Sequence, residues 1–213
     1  MMTTPAPSSP ERPLVVLVHG IFDTGGVFHA IERDLAALGF EVFAPSLSPN
    51  AAWHGIPDLA TKLSAAIDAR YGTQRRFQLV GFSMGGIVSR TYLQKLDGAD
   101  RCDRLVTISS PHHGTMTGFL FFGGGAQQMR AHSTFLQALN DPASTAALAD
   151  IPLHSYYTPL DLMIVPFTSS HWLLAENEVV WSVAHPLMLV NPSLRAHLRD
   201  VLQRPVRAAI TTP

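Results

Sequence analysis

Short runs of apolar residues alternate along the chain with segments whose apolar residues recur every three or four positions. The runs are LVVLV (14–18), EVFAP (41–45), FQLVGF (77–82), RLVTISS (104–110), LHSYYT (153–158) and EVVWSVA (178–184). Each is rich in Val, Leu, Ile or aromatic residues and too short for a helix of ordinary length, so each predicts a strand. Near-continuous apolar character predicts strands buried on both faces, the habit of a parallel sheet covered by helices.

The intervening segments read as those helices. Val27, Phe28, Ile31, Leu35 and Leu38 line one helical face, and Gly39 stands where that helix should stop. IPDLATKLSAAIDARYG (56–72) has Pro57 in its first turn, Leu59, Leu63, Ala66 and Ile67 along one face, and Gly72 at its end. IVSRTYLQKL (87–96) follows the third run, and NPSLRAHLRDVL (191–202) opens on Asn191 as an N-cap with Pro192 at the first helical position. Together these predict an α/β fold, a six-stranded, mostly parallel sheet with helices on both faces.

One connection breaks the regular spacing. Residues 115–150 carry FLFFGGG, a predicted short helix over STFLQALN and a stretch of small residues. A connection this long in a compact domain predicts a lid or cap. As a lid, the apolar residues Phe119, Phe121 and Phe122 would shield an acyl pocket and open against lipid; as ordinary core they would be buried. Residues 1–13, rich in Pro, Ser and Thr, predict a disordered lead-in, and 14–213 a single domain.

Composition narrows the partners. The net charge of -1, with no Lys/Arg cluster, leaves no footprint for a phosphate backbone, so nucleic acid is not expected as a partner. The lone Cys102 excludes an internal disulfide and a cysteine-rich metal site. The N-terminal sequence has no apolar leader region, and no run approaches the roughly 18 residues of a membrane span. The chain therefore reads as cytoplasmic, or as secreted if a leader has been removed.

The chemistry concentrates at GFSMGG (81–86), a Gly-x-Ser-x-Gly pattern between a predicted strand and a predicted helix. Such a serine is held in a tight, strained turn that lifts its hydroxyl above the sheet. A serine hydroxyl needs a base within hydrogen-bond reach, and the base needs a carboxylate to fix its tautomer. Asp161 follows the fifth run and His185 the sixth, each at the carboxyl end of a strand, the same edge as Ser83. Asp141 and Asp150 compete as the acid, and His154, His171 and His197 as the base, from less suitable positions. The oxyanion of a tetrahedral intermediate needs donors. These are expected from the Met84 amide and from the loop after the first run, where Ile21 is favoured and Phe22 competes. His112 and His113 are adjacent and point to opposite faces of extended backbone, so no metal site is expected.

HGIF, GFSMGG, SPHHGT, PLDLMIVP and AHPLML, in this order and at predicted strand ends, resemble the lipase and carboxylesterase branch of the α/β-hydrolase superfamily, particularly small bacterial lipases. The resemblance spans roughly residues 14 to 200. It implies Ser83 as nucleophile, Asp161 as acid, His185 as base, Ile21 and Met84 as oxyanion donors, and no cofactor. It also suggests Phe22 and His113 as residues near the substrate, and a small-molecule ester or lipid as substrate with transient contact to lipid aggregates. The larger family usually begins with two antiparallel strands, and only 13 residues precede the first run here, which implies a minimal six-stranded core. A thioesterase, an amidase or an acyltransferase would use the same residues, and a catalytically silent binding protein on the same fold is the rival of a different class.

Overall fold

The computed structural model describes residues 12–206. Six strands, β1 (Leu14–Val18), β2 (Glu41–Phe43), β3 (Phe77–Phe82), β4 (Cys102–Ile108), β5 (Leu153–Tyr157) and β6 (Glu176–Val179), form one sheet in the order β2-β1-β3-β4-β5-β6. Every neighbouring pair is parallel. The chain winds outward from β1 to β2, then crosses back to place β3 on the other side of β1. The order therefore reverses between β1 and β3, and in open parallel sheets the crevice at such a switch point takes the ligand.

The continuous apolar pattern is explained by two cores, one on each face. Leu14, Val16 and Val18 of β1 join Ile56, Leu59, Leu63 and Ile67 of α2 (Ile56–Tyr71) and Ile87, Val88 and Tyr92 of α3 (Met84–Lys95). Val15 and Leu17 point the other way, into Ile31 and Leu35 of α1 (His29–Ala37) and Leu194, Leu198, Val201 and Leu202 of α7 (Pro192–Gln203). A strand alternates its side chains between faces, so a strand buried on both must be apolar throughout. Helix α7 begins as its sequence predicts, with the Asn191 side chain accepting the N–H groups of Ser193 and Leu194.

The strand boundaries differ at four elements; β2 stops at Phe43, short of the expected 45, and β4 lies at 102–108 rather than 104–110. β5 stops at Tyr157 and β6 lies at 176–179, earlier than the expected 178–184. Beyond the ladder, Val180 N–H still donates to Tyr157 C=O, and then the Thr158 hydroxyl donates to Ser182 C=O and accepts from Ser182 N–H. A side chain thus continues the pairing where the backbone ladder ends.

The connection 115–150 holds three short helices, α4 (Gly124–Gln128), α5 (Thr134–Asn140) and α6 (Pro142–Thr145). Its residues fall into both alternatives posed by the sequence. Phe119, Leu120 and Phe122 are exposed, Phe122 at 83%, whereas Leu136, Leu139 and Leu148 belong to the core shared with α2 and α3. The disordered lead-in expected over 1–13 lies outside the described residues except at its end, where Pro13 C=O accepts the Glu41 N–H. Among the described residues no helix is long and apolar enough to cross a membrane.

Candidate active site

Ser83 joins β3 to α3 with φ 54° and ψ -124°, a conformation that non-glycine residues rarely adopt and that a tightly packed turn must impose. The turn can be this tight because its flanking glycines carry no side chain. A Cβ on Gly85 would lie 1.9 Å from the Val18 carbonyl oxygen, and one on Gly81 would lie 2.5 Å from the Gly86 Cα. Ser83 N–H donates to Ile108 C=O at 2.8 Å, so the strained residue is still tied to the sheet.

Asp161 and His185 come from the loops after β5 and β6 and meet at 2.7 Å between Asp161 Oδ2 and His185 Nδ1. Both are buried. The other carboxylate oxygen, Oδ1, accepts the N–H groups of Met163 and Ile164, each at 2.9 Å. Burial pushes the Asp161 pKa up, but the hydrogen bond and charge of His185, with the two amides, outweigh it and hold the group below its usual value. The carboxylate therefore stays ionised, accepts from Nδ1–H and leaves Nε2 as the free lone pair of the ring. The His185 ring lies over Phe82, with centroids 4.8 Å apart, next to Ser83. Ser83 Oγ makes no hydrogen bond among the described residues; contacts of this kind commonly tighten only when substrate binds.

The loop after β1 supplies the facing wall. Gly20 C=O accepts the Asp23 N–H across a turn whose third residue, Phe22, has φ 63°. The Phe22 amide donates to Asn50 C=O at 3.0 Å, which commits it elsewhere, while the Ile21 and Met84 amides have no protein acceptor among the described residues. His19 fixes this loop. Its Nε2 accepts the Leu47 N–H and its Nδ1 donates to Gly20 C=O, both at 2.8 Å, so the ring is held at both nitrogens.

Ser83 opens into a narrow cleft lined by apolar residues such as Ile21, Phe121, Met129 and Ile164, together with Thr115 and Thr117. The Phe22 ring is exposed and touches Phe121, with centroids 5.6 Å apart, at the cleft's rim. His113 lies on the outer surface, its amide donating to Ser169 Oγ, and does not line the cleft. His112 turns inward and is fully buried, stacked on Trp172 and in contact with Arg90 and Thr107. Arg90, itself fully buried, also reaches Leu139 C=O and Asn140 Oδ1, so it joins α3 to the loop after β4 and to the end of α5. Burial pulls the Arg90 guanidinium down to about 9, which leaves it charged at neutral pH.

The competing residues are engaged elsewhere. Asp141 caps α6 through Ala143 N–H, and Asp150 precedes β5. His154 faces Glu176 at 3.2 Å, His197 faces Glu178 at 3.1 Å, and His171 meets the Tyr157 ring. Among the described residues, no three metal-ligating side chains gather.

Several solved structures share this architecture at sequence identities that speak to the fold alone. Aspergillus fumigatus lipase B superposes with a TM-score of 0.75 at 18% identity over 92% of this chain, which spans about half, 53%, of that longer protein. The Bacillus licheniformis lipase BlEst2 gives 0.70 at 16% identity over 91% of this chain and 93% of its own. A bromoperoxidase from Bacillus anthracis gives 0.62 at 14% identity over 90% of this chain and 91% of its own. The same scaffold thus carries different chemistries, and the reaction must be argued from the site. Residues 13–187 match the family model described as alpha/beta hydrolase fold, and with the parallel six-stranded sheet built over those residues, this chain belongs to the alpha/beta hydrolase family.

Proposed function

We propose that the protein is a serine hydrolase that cleaves carboxylic esters through an acyl-enzyme. The observation that supports this reading most is the 2.7 Å contact between buried His185 and Asp161 at the sheet edge where the strained Ser83 projects. In this reading His185 Nε2 takes the Ser83 proton as Oγ attacks the ester carbonyl. The Ile21 and Met84 amides receive the oxyanion, and the imidazolium then protonates the leaving alcohol. Water repeats the sequence on the acyl-enzyme, and Asp161 remains ionised throughout.

The cleft's apolar lining suits a hydrocarbon acyl chain. The exposed Phe119, Leu120 and Phe122 beside it suit transient contact with aggregated substrate. Thioester, amide and acyl-transfer chemistry would share the acyl-enzyme, and matched thioester, amide and ester substrates separate them by their kcat/KM values. The first test is hydrolysis of a short-chain p-nitrophenyl ester by the wild type and by Ser83→Ala. Turnover by the wild type alone supports the proposal, and equal turnover by both rejects it.

A further inference from the structure

We propose that Asp23 reads the alcohol half of the substrate and favours esters whose leaving group carries a positive charge. The inference rests on the ester-hydrolase reading above. Asp23 closes the turn after β1. Its N–H donates to Gly20 C=O at 3.4 Å and its C=O accepts from Asn50 Nδ2 at 2.9 Å, so its backbone is held on both sides. Its carboxylate turns back toward the reactive serine. Oδ2 lies 3.0 Å from the point that a Cβ on Gly20 would occupy, and Ser83 Cβ lies 3.2 Å from the same point.

Nothing in the fold uses this carboxylate. Among the described residues no N–H or O–H donates to it. Two rings lie near it, but both ring nitrogens of His19 are bound to Leu47 and Gly20, and Nδ1 of His185 is bound to Asp161. Burial pushes its pKa up against the pull of those two rings. A partly buried, unpaired carboxylate costs folding free energy, and a ligand that pairs with it recovers that cost.

The position of Asp23 assigns it to one side of the ester. The cleft is lined by no charged residue and not by Asp23, so the substrate half that fills it meets apolar walls and hydroxyls. That half is the acyl chain. The departing alcohol takes its proton from His185 at Ser83, the residue toward which the Asp23 carboxylate turns. A cation held at about 6 Å from the carboxylate, in surroundings between water and protein interior, gives about a tenfold preference.

Butyrylcholine and 3,3-dimethylbutyl butyrate have the same shape and differ by one positive charge. With each rate normalised to hydroxide-catalysed hydrolysis, wild-type kcat/KM should favour the cationic ester about tenfold. The preference should shrink in high salt, and Asp23→Asn should bring the ratio close to one. Because the ratio is taken within one enzyme, effects of the substitution on His185 or on the folded fraction cancel. A wild-type ratio of one, or a preference that survives Asp23→Asn, overturns the inference and leaves the ester-hydrolase reading intact. Failure of the wild type to hydrolyse either ester overturns both. If Asp23→Asn does not fold, the wild-type ratio and its salt dependence decide.

Discussion

Replacing His19 with alanine would release the loop that presents the Ile21 amide. The ring is 1% exposed and makes two hydrogen bonds of 2.8 Å, to Leu47 N–H and Gly20 C=O. Each contributes about 1 kcal/mol, and the buried Leu47 N–H left without an acceptor adds a penalty of about 1–3 kcal/mol. The expected destabilisation is about 3–5 kcal/mol, which in a domain of this size lowers Tm by about 10 °C or more. The kinetic effect is separate. An oxyanion donor that moves out of place lowers kcat by about 10²- to 10³-fold, and since the interaction is made only in the transition state, KM should change little. Thermal denaturation and steady-state hydrolysis of a soluble ester read the two effects independently. His19→Gln can keep an acceptor for Leu47 while freeing Gly20, so it should recover stability more than kcat. If His19→Ala loses the expected stability but keeps kcat within about threefold of wild type, the ring is structural and the account of the oxyanion loop is wrong.

Other perturbations follow from the same geometry. Gly85→Ala places a Cβ 1.9 Å from Val18 O, against rigid sheet backbone, so soluble yield and Tm should both fall sharply; a variant with wild-type Tm would contradict the elbow packing. The pKa of Asp161 is lowered in the folded state. Its contribution is therefore complete above the ordinary aspartate range and is lost as pH falls through its folded value, and Asp161→Asn should remove that part of the acid limb in a stability profile. Asp23 has the opposite sign. Its raised pKa penalises folding when it is ionised, so Asp23→Asn should raise Tm at neutral pH, a gain that vanishes below the ordinary aspartate range; a gain independent of pH would refute the burial argument. Leu120→Asp with Phe122→Asp, both at exposed positions, should weaken adsorption to substrate aggregates while sparing hydrolysis of a dissolved short-chain ester. Unchanged adsorption, measured by sedimentation with lipid emulsion, would remove the proposed role of that surface.

The sheet was legible because strands buried on both faces write unbroken apolar runs, and LVVLV sits in the sequence as it sits in the sheet. The fourth and last strands were each misplaced by two residues at their starts. EVVWSVA has the right composition, but backbone pairing ends where β5 gives way to Thr158 and its side chain takes over. Ser83, Asp161 and His185 stood out because the chemistry needs those residue types at strand ends. His19, Asp23, Asn50 and Arg90 did not, since their places depend on contacts made across the fold. His19 reaches Leu47 in the next crossover, and Arg90 meets Asn140 fifty positions away. An inward-facing arginine on α3 gives no pattern that separates it from a surface one. The cap was ambiguous for a related reason, because one segment contains both core leucines and exposed aromatics.

A Ser83 made nucleophilic by His185 and Asp161 should react covalently with an electrophilic phosphorus ester. The wild type would be treated with a fluorophosphonate ester and analysed by intact mass and peptide mapping, alongside Ser83→Ala, His185→Ala and Asp161→Asn. One adduct is expected on Ser83 in the wild type, none in Ser83→Ala, and labelling slowed by orders of magnitude in the other two. An adduct on another residue, or labelling of Ser83 at an undiminished rate without His185, would contradict it.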